Sequence, residues 1–172
     1  MLCRAGFVAI LVLSACNRAP KTRLGDLDVV WRGAERGRFI APLVASHCPG
    51  SGQVELLAIR GDSGIAMALF LRDSASVEPV DYPVFPGGQM AEPRPGAGFV
   101  ARWFATTSIS AFEGVTGKIN LSLTGQVLSG TVDVKVQALD RPDTLRFIGG
   151  FSQVPLVVAD SNCRLIRKRY KM

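Results

Sequence analysis

Thr131-Val132-Asp133-Val134-Lys135-Val136-Gln137 alternates polar and apolar residues over its whole length. Only an extended chain sends successive side chains to opposite faces, so the three valines share one face and the polar residues the other. The valine face must meet a core. Just upstream, 118–124 repeats the pattern, with Ile119, Leu121 and Leu123 set against Lys118, Asn120, Ser122 and Thr124. Gly125-Gln126 between the two runs predicts a tight hairpin with glycine supplying positive φ, and Gly130 predicts a bulge on the second strand. Downstream, Asp140-Arg141-Pro142-Asp143 has turn chemistry and leads into a further strand over 144–151. Residues 115–154 therefore read as a three-stranded antiparallel meander.

Working outward, the same period of two marks strands over 27–32, 38–46, 53–60, 65–72, 99–105 and 107–112. No window of a dozen residues carries the three-and-four spacing of an amphipathic helix. The expected fold is all-β, a single antiparallel β-sandwich or barrel of roughly 8 to 10 strands. Residues 65–71 are apolar on both faces, which predicts a central strand or one whose outer face is covered. The stretch 78–98 breaks the rhythm with Pro79, Pro83, Pro86, Pro93 and Pro95. Prolines at that density exclude a central strand and predict an ordered loop or edge covering. Its Tyr82, Phe85, Gln89 and Arg94 form the candidate binding loop; the competing reading is that its aromatics plug a barrel end.

The chain has 172 residues, 48% of them apolar, enough for one core and too apolar for disorder. Near the N-terminus, Arg4 precedes an apolar run over 5–13, far short of the roughly 20 residues a membrane-crossing helix needs. It reads as the core of a signal peptide. Leu13-Ser14-Ala15-Cys16 then resembles the lipobox of bacterial lipoproteins. The resemblance implies cleavage after residue 15, acylation of Cys16 with chains such as palmitate, and attachment to a lipid bilayer in the bacterial cell envelope. The mature part would face the periplasm or the exterior. The expected organisation is a signal peptide at 1–15, a lipidated tether at 16–26, an all-β domain at 27–163 and a basic tail at 164–172. Beyond the lipobox, the chain resembles the small all-β domains of many predicted bacterial lipoproteins, which brings no activity with it. With Cys3 removed and Cys16 lipidated, Cys48 and Cys163 remain in an oxidising compartment, where a disulfide between them is expected.

A formal charge of +6 invites a nucleic-acid partner, but the excess sits at the two ends and the body between is mildly acidic. Nucleic-acid binding needs a basic face with stacking aromatics on the fold, so no such partner is expected. Arg164, Arg167, Lys168, Arg169 and Lys171 crowd the C-terminus and suit anionic lipid headgroups.

Two motifs imitate chemistry. Gly61-Asp62-Ser63-Gly64 matches the nucleophile tetrapeptide of trypsin-like proteases, yet the chain has one histidine, His47, close upstream and with no separate barrel to sit on. The tetrapeptide reads as a hairpin turn. His47 beside Cys48 lacks the further ligands a metal site needs. No catalytic residue, metal or cofactor is expected. The function read from the sequence is a membrane-anchored, non-enzymatic binding or structural module for another envelope component, protein or glycan. The alternative is a carrier of a small apolar ligand inside a barrel, with an enzyme third.

Overall fold

The computed structural model describes residues 25–87, 94–105 and 108–159. Nine strands carry the chain: β1 (Asp26–Gly33), β2 (Gly37–Cys48), β3 (Gln53–Arg60), β4 (Ser63–Phe70), β5 (Asp81–Pro83), β6 (Gly96–Ala105), β7 (Ser108–Thr124), β8 (Val127–Ala138) and β9 (Thr144–Val158). Eight of them close an antiparallel barrel in the order β1-β2-β3-β4-β6-β7-β8-β9, with β9 returning to β1 and β5 added outside β7. Of the two architectures that alternation permits, the chain takes the barrel.

Every strand shows why it formed. In β8, Val132, Val134 and Val136 face the lumen and are buried, and Phe147 and Leu145 of β9 meet them from the next strand. An eight-stranded barrel has an interior just wide enough for side chains to fill, and each large apolar residue buried there contributes about 1.5–3 kcal/mol. The meander of β7, β8 and β9 is as expected, and the bulge foreseen at Gly130 is a register shift between Leu128 and Gly130. The outer face of β4 is covered at Ala68 and Phe70, as its apolar composition requires.

One expectation changes. The separate strands at 107–112 and 118–124 are one strand, β7, and a bulge between Gly114 and Thr116 keeps the apolar side inward across the break in alternation. β1 is also shorter than its neighbours. Below Asp26 the end of β9 moves in beside β2, pairing Ala45, Ser46 and His47 in parallel with Leu156, Val157 and Val158. Gln153, at φ 55°, makes the bend that allows this.

The segment after β4 closes one end of the barrel. Tyr82 of β5 is fully buried, and Val84 joins the core beside it. This is the plug reading of the proline-rich stretch, with β5 as an edge strand that tolerates Pro83.

Candidate functional site

The connections β1–β2, β3–β4, β6–β7 and β8–β9 all lie at the end opposite that plug. This open end is built on an aromatic layer. Trp31 comes from β1 and Trp103 from β6, strands halfway round the barrel from each other, and their rings meet at 4.9 Å. Phe147 stacks with Trp31 at 5.4 Å and also lies 6.1 Å from Trp103, tilted by 49°, while Phe112 stacks with Trp103 at 4.6 Å. The four rings thus pack as one cluster across the lumen, and the Arg141 guanidinium lies 5.6 Å from the Phe112 centroid. Gly37, opposite Trp31, is required: a Cβ there would run into the indole.

Above the layer is a recess of about 270 Å³ lined by Trp31, Phe39, Ile65, Trp103 and Phe147 together with Arg38, Arg60, Arg102 and Ser63. Arg38 is held outside the barrel by Asp28, with Nε and Nη2 donating to the carboxylate at 2.9 and 2.6 Å. Among the described residues, Arg60 and Arg102 make no ion pair. Among the described residues, the buried Trp31 indole N–H has no acceptor and no carboxylate lines the recess.

A second, wider groove of about 680 Å³ runs over the outer face of β7, β8, β9 and β1. Here Arg32, Arg146 and Lys135 stand directly opposite one another across three strands, an arrangement that costs energy between like charges. Asp133 relieves it by accepting from Arg146 Nε and Nη2 at 2.8 and 2.7 Å, and this hydrogen bonding holds the Asp133 carboxyl below the usual range. Lys118 donates to Asp81 at 2.8 Å, and that hydrogen bond, with a second from Asn120, likewise lowers Asp81. Lys118 and Arg146 are matched, while Arg32 and Lys135 make no ion pair among the described residues; the groove is wide and open, so it reads as a solvated face.

The residues singled out in the sequence fall elsewhere. Tyr82 donates its hydroxyl to the Glu78 carbonyl at 2.9 Å, and burial pushes its pKa up to about 12. It offers no surface to a ligand. Phe85 is half-buried with its N–H on the Ala97 carbonyl, and Arg94 Nη1 donates to the Leu71 carbonyl at 3.2 Å. Tyr82 and Arg94 thus each give a side-chain donor to a backbone carbonyl of the closed end, a structural role for these two members of the expected binding loop. Gln89, Cys16, Cys163 and the basic residues 164–171 lie outside the described residues; Cys48 is fully buried at the end of β2. His47 is buried near the closed end with Nε2 3.1 Å from the Ser74 carbonyl oxygen, tying the loop after β4 to β2. Ser63, at the open end, begins β4 after a two-residue turn with Gly61 at φ 58°. His47 and Ser63 are therefore at opposite ends of the barrel, and the protease-like tetrapeptide is a turn. Among the described residues no group of three His, Cys, Asp or Glu side chains could hold a metal.

The chain matches no known family model, curated protein or solved structure at a significant level.

Trp31, Trp103, Arg60 and Arg102 were not legible as a site in the sequence. The available signal was that both tryptophans of the chain sit next to an arginine near the end of a strand. Placing them at the same end of the barrel required the correct strand count between them.

Proposed function

We propose that this chain is a lipid-anchored, non-enzymatic module of the bacterial envelope that docks another envelope component at the open mouth of its barrel. The observation that carries this is the contrast between the two ends. Among the described residues, the mouth has two arginines without an ion pair, an indole N–H without an acceptor and a recess, whereas the other end is plugged by Tyr82 and Val84.

The chain's path supports the same orientation. The described chain begins at Gly25, bonded to Leu43 about halfway along β2 and beyond the mouth-side half of the barrel, and ends at Ala159, whose N–H donates to the His47 carbonyl at the plugged end. An acylated Cys16 lies nine residues before Gly25 in sequence, a reach of at most about 30 Å. The plugged end then lies toward the bilayer and the mouth away from it, while the basic tail adds attraction for anionic headgroups near the anchor. A disulfide between Cys48 and Cys163 would fasten the tail to the same end and stabilise the domain by about 4 to 5 kcal/mol in the chain-entropy account. The carrier alternative is less well supported, because side chains fill the lumen beneath the four-ring layer and leave room only at the mouth.

The anchor is tested by metabolic labelling with a palmitate analogue: Cys16→Ala should abolish incorporation and release the chain from membranes. Docking is tested by photo-crosslinking in intact cells from position 62, in the β3–β4 turn at the mouth, and from position 126, in the β7–β8 turn at the plugged end. Defined adducts should form from position 62 and be absent from 126. Adducts from 126 alone, or from neither, would refute docking at the mouth.

A further inference from the structure

Resting on that reading of the mouth, we infer that the recess recognises an oxyanion, a carboxylate or a phosphate carried on a compact frame of about sugar size. Four observations converge. First, Arg60 and Arg102 flank the recess from β3 and β6 without an ion pair among the described residues, and guanidinium forks match the paired oxygens of carboxylates and phosphates. Second, the N–H of Trp31, a residue that lines the recess, is buried and has no acceptor among the described residues, and a ligand oxygen that reached it would satisfy a donor that is costly to leave unpaired. Third, Trp31 and Trp103 stack on each other, with Phe147 against Trp31 and Phe112 against Trp103, so much of their face area is already spent. The ring edges carry the positive part of the aromatic quadrupole and favour an electronegative atom. Fourth, among the described residues no carboxylate lines the recess to compete; Glu35 and Asp62, the acids of the adjoining turns, are not among its lining residues.

Volume limits the rest of the ligand. About 270 Å³ holds a monosaccharide-sized group or a chain end, and is too small for an extended polymer to enter sideways. The frame beyond the anion should be small and partly apolar, because Phe39 and Ile65 complete the wall.

Both tryptophans of the chain belong to this site, so intrinsic emission reports the recess alone. The full mature chain would be titrated with galacturonate, glycerol 3-phosphate and neutral galactose at low ionic strength. A saturable emission change with at least one anion and none with galactose is expected, and the anion that responds identifies the carboxylate or the phosphate as the natural group. Arg60→Gln and Arg102→Gln should each weaken that binding about tenfold or more, the loss of one charge-assisted hydrogen bond. Arg72→Gln, at the plugged end, should leave it unchanged. Both mouth arginines are exposed, and thermal melts of the variants would verify folding. Equal response to galactose, silence toward both anions, or unaltered binding in Arg60→Gln and Arg102→Gln would overturn the inference. Crosslinks from position 62 that persist alongside a silent titration would remove the oxyanion while leaving docking at the mouth intact.

Discussion

Gly37 and Tyr82 show how much of this barrel hangs on single atoms at its two ends. At the mouth, adding one methyl in Gly37→Ala drives a carbon into the Trp31 indole, and overpacking of this kind costs about 1–3 kcal/mol. A urea melt should show that loss, with a changed tryptophan emission in the folded state. At the plug, Tyr82 is held neutral. Its pKa is raised from 10.0 to about 12, chiefly by burial, so its contribution to stability is complete below about pH 10 and is lost as pH rises through 12. Ultraviolet titration of the phenols should show a high-pH transition that Tyr82→Phe removes. Tyr82 was legible as an aromatic beside prolines, but not as buried, because plug and binding loop share one composition. Ser63 illustrates the reverse. Its turn was legible from glycine and aspartate, whereas its position at the recess depended on Arg60 pairing with Ser63 across the hairpin with both residues facing in.

At the scale of the element, alternation located nearly every strand, since period two is imposed by the backbone wherever one face is buried. It failed where the backbone departs from regularity. β7 was divided because the bulge at Gly114 and Thr116 resets the phase, and a phase break looks like a turn when only sequence is available. The bend in β9 left no signal, because Gln153 is an unusual residue for positive φ. That suggests a test. Left-handed backbone costs a non-glycine residue about 1–2 kcal/mol, more than the 0.5–1 kcal/mol of extra chain entropy a glycine must lose. Gln153→Gly should therefore raise stability by about 0.5–1 kcal/mol in a denaturant melt.

For the whole molecule, closure was the part that sequence could not supply. A sandwich and a barrel present the same alternation, and the deciding contact is β1 with β9, the first strand with the last. Closure leaves β5 as the strand held by a ladder on one side only. In hydrogen exchange, the amides of Asp81 and Tyr82 should exchange ahead of those in β8 and β9, which are laddered on both sides. Equal protection would mean that the plug opens only with the barrel. The axial distribution of charge was hidden for a related reason: summing the body to a mildly acidic total erased the concentration of Arg32, Arg36, Arg60, Arg102 and Arg146 toward the mouth.

The tucked end of β9 has a mechanical consequence. If the anchor holds Gly25 while a ligand grips the mouth, tension runs from one end of the barrel to the other, close to the strand direction apart from the tilt of about 35–45°. β1 takes that load first, with β2 on one side and β9 on the other, so its ladders are sheared together instead of being unzipped bond by bond. Gly25 adds two clamps at the point where force enters, its N–H on the Ser152 carbonyl and its own carbonyl accepting from Leu43 N–H, each at 2.8 Å. A tether pulled from this position meets the stiffest direction the fold has.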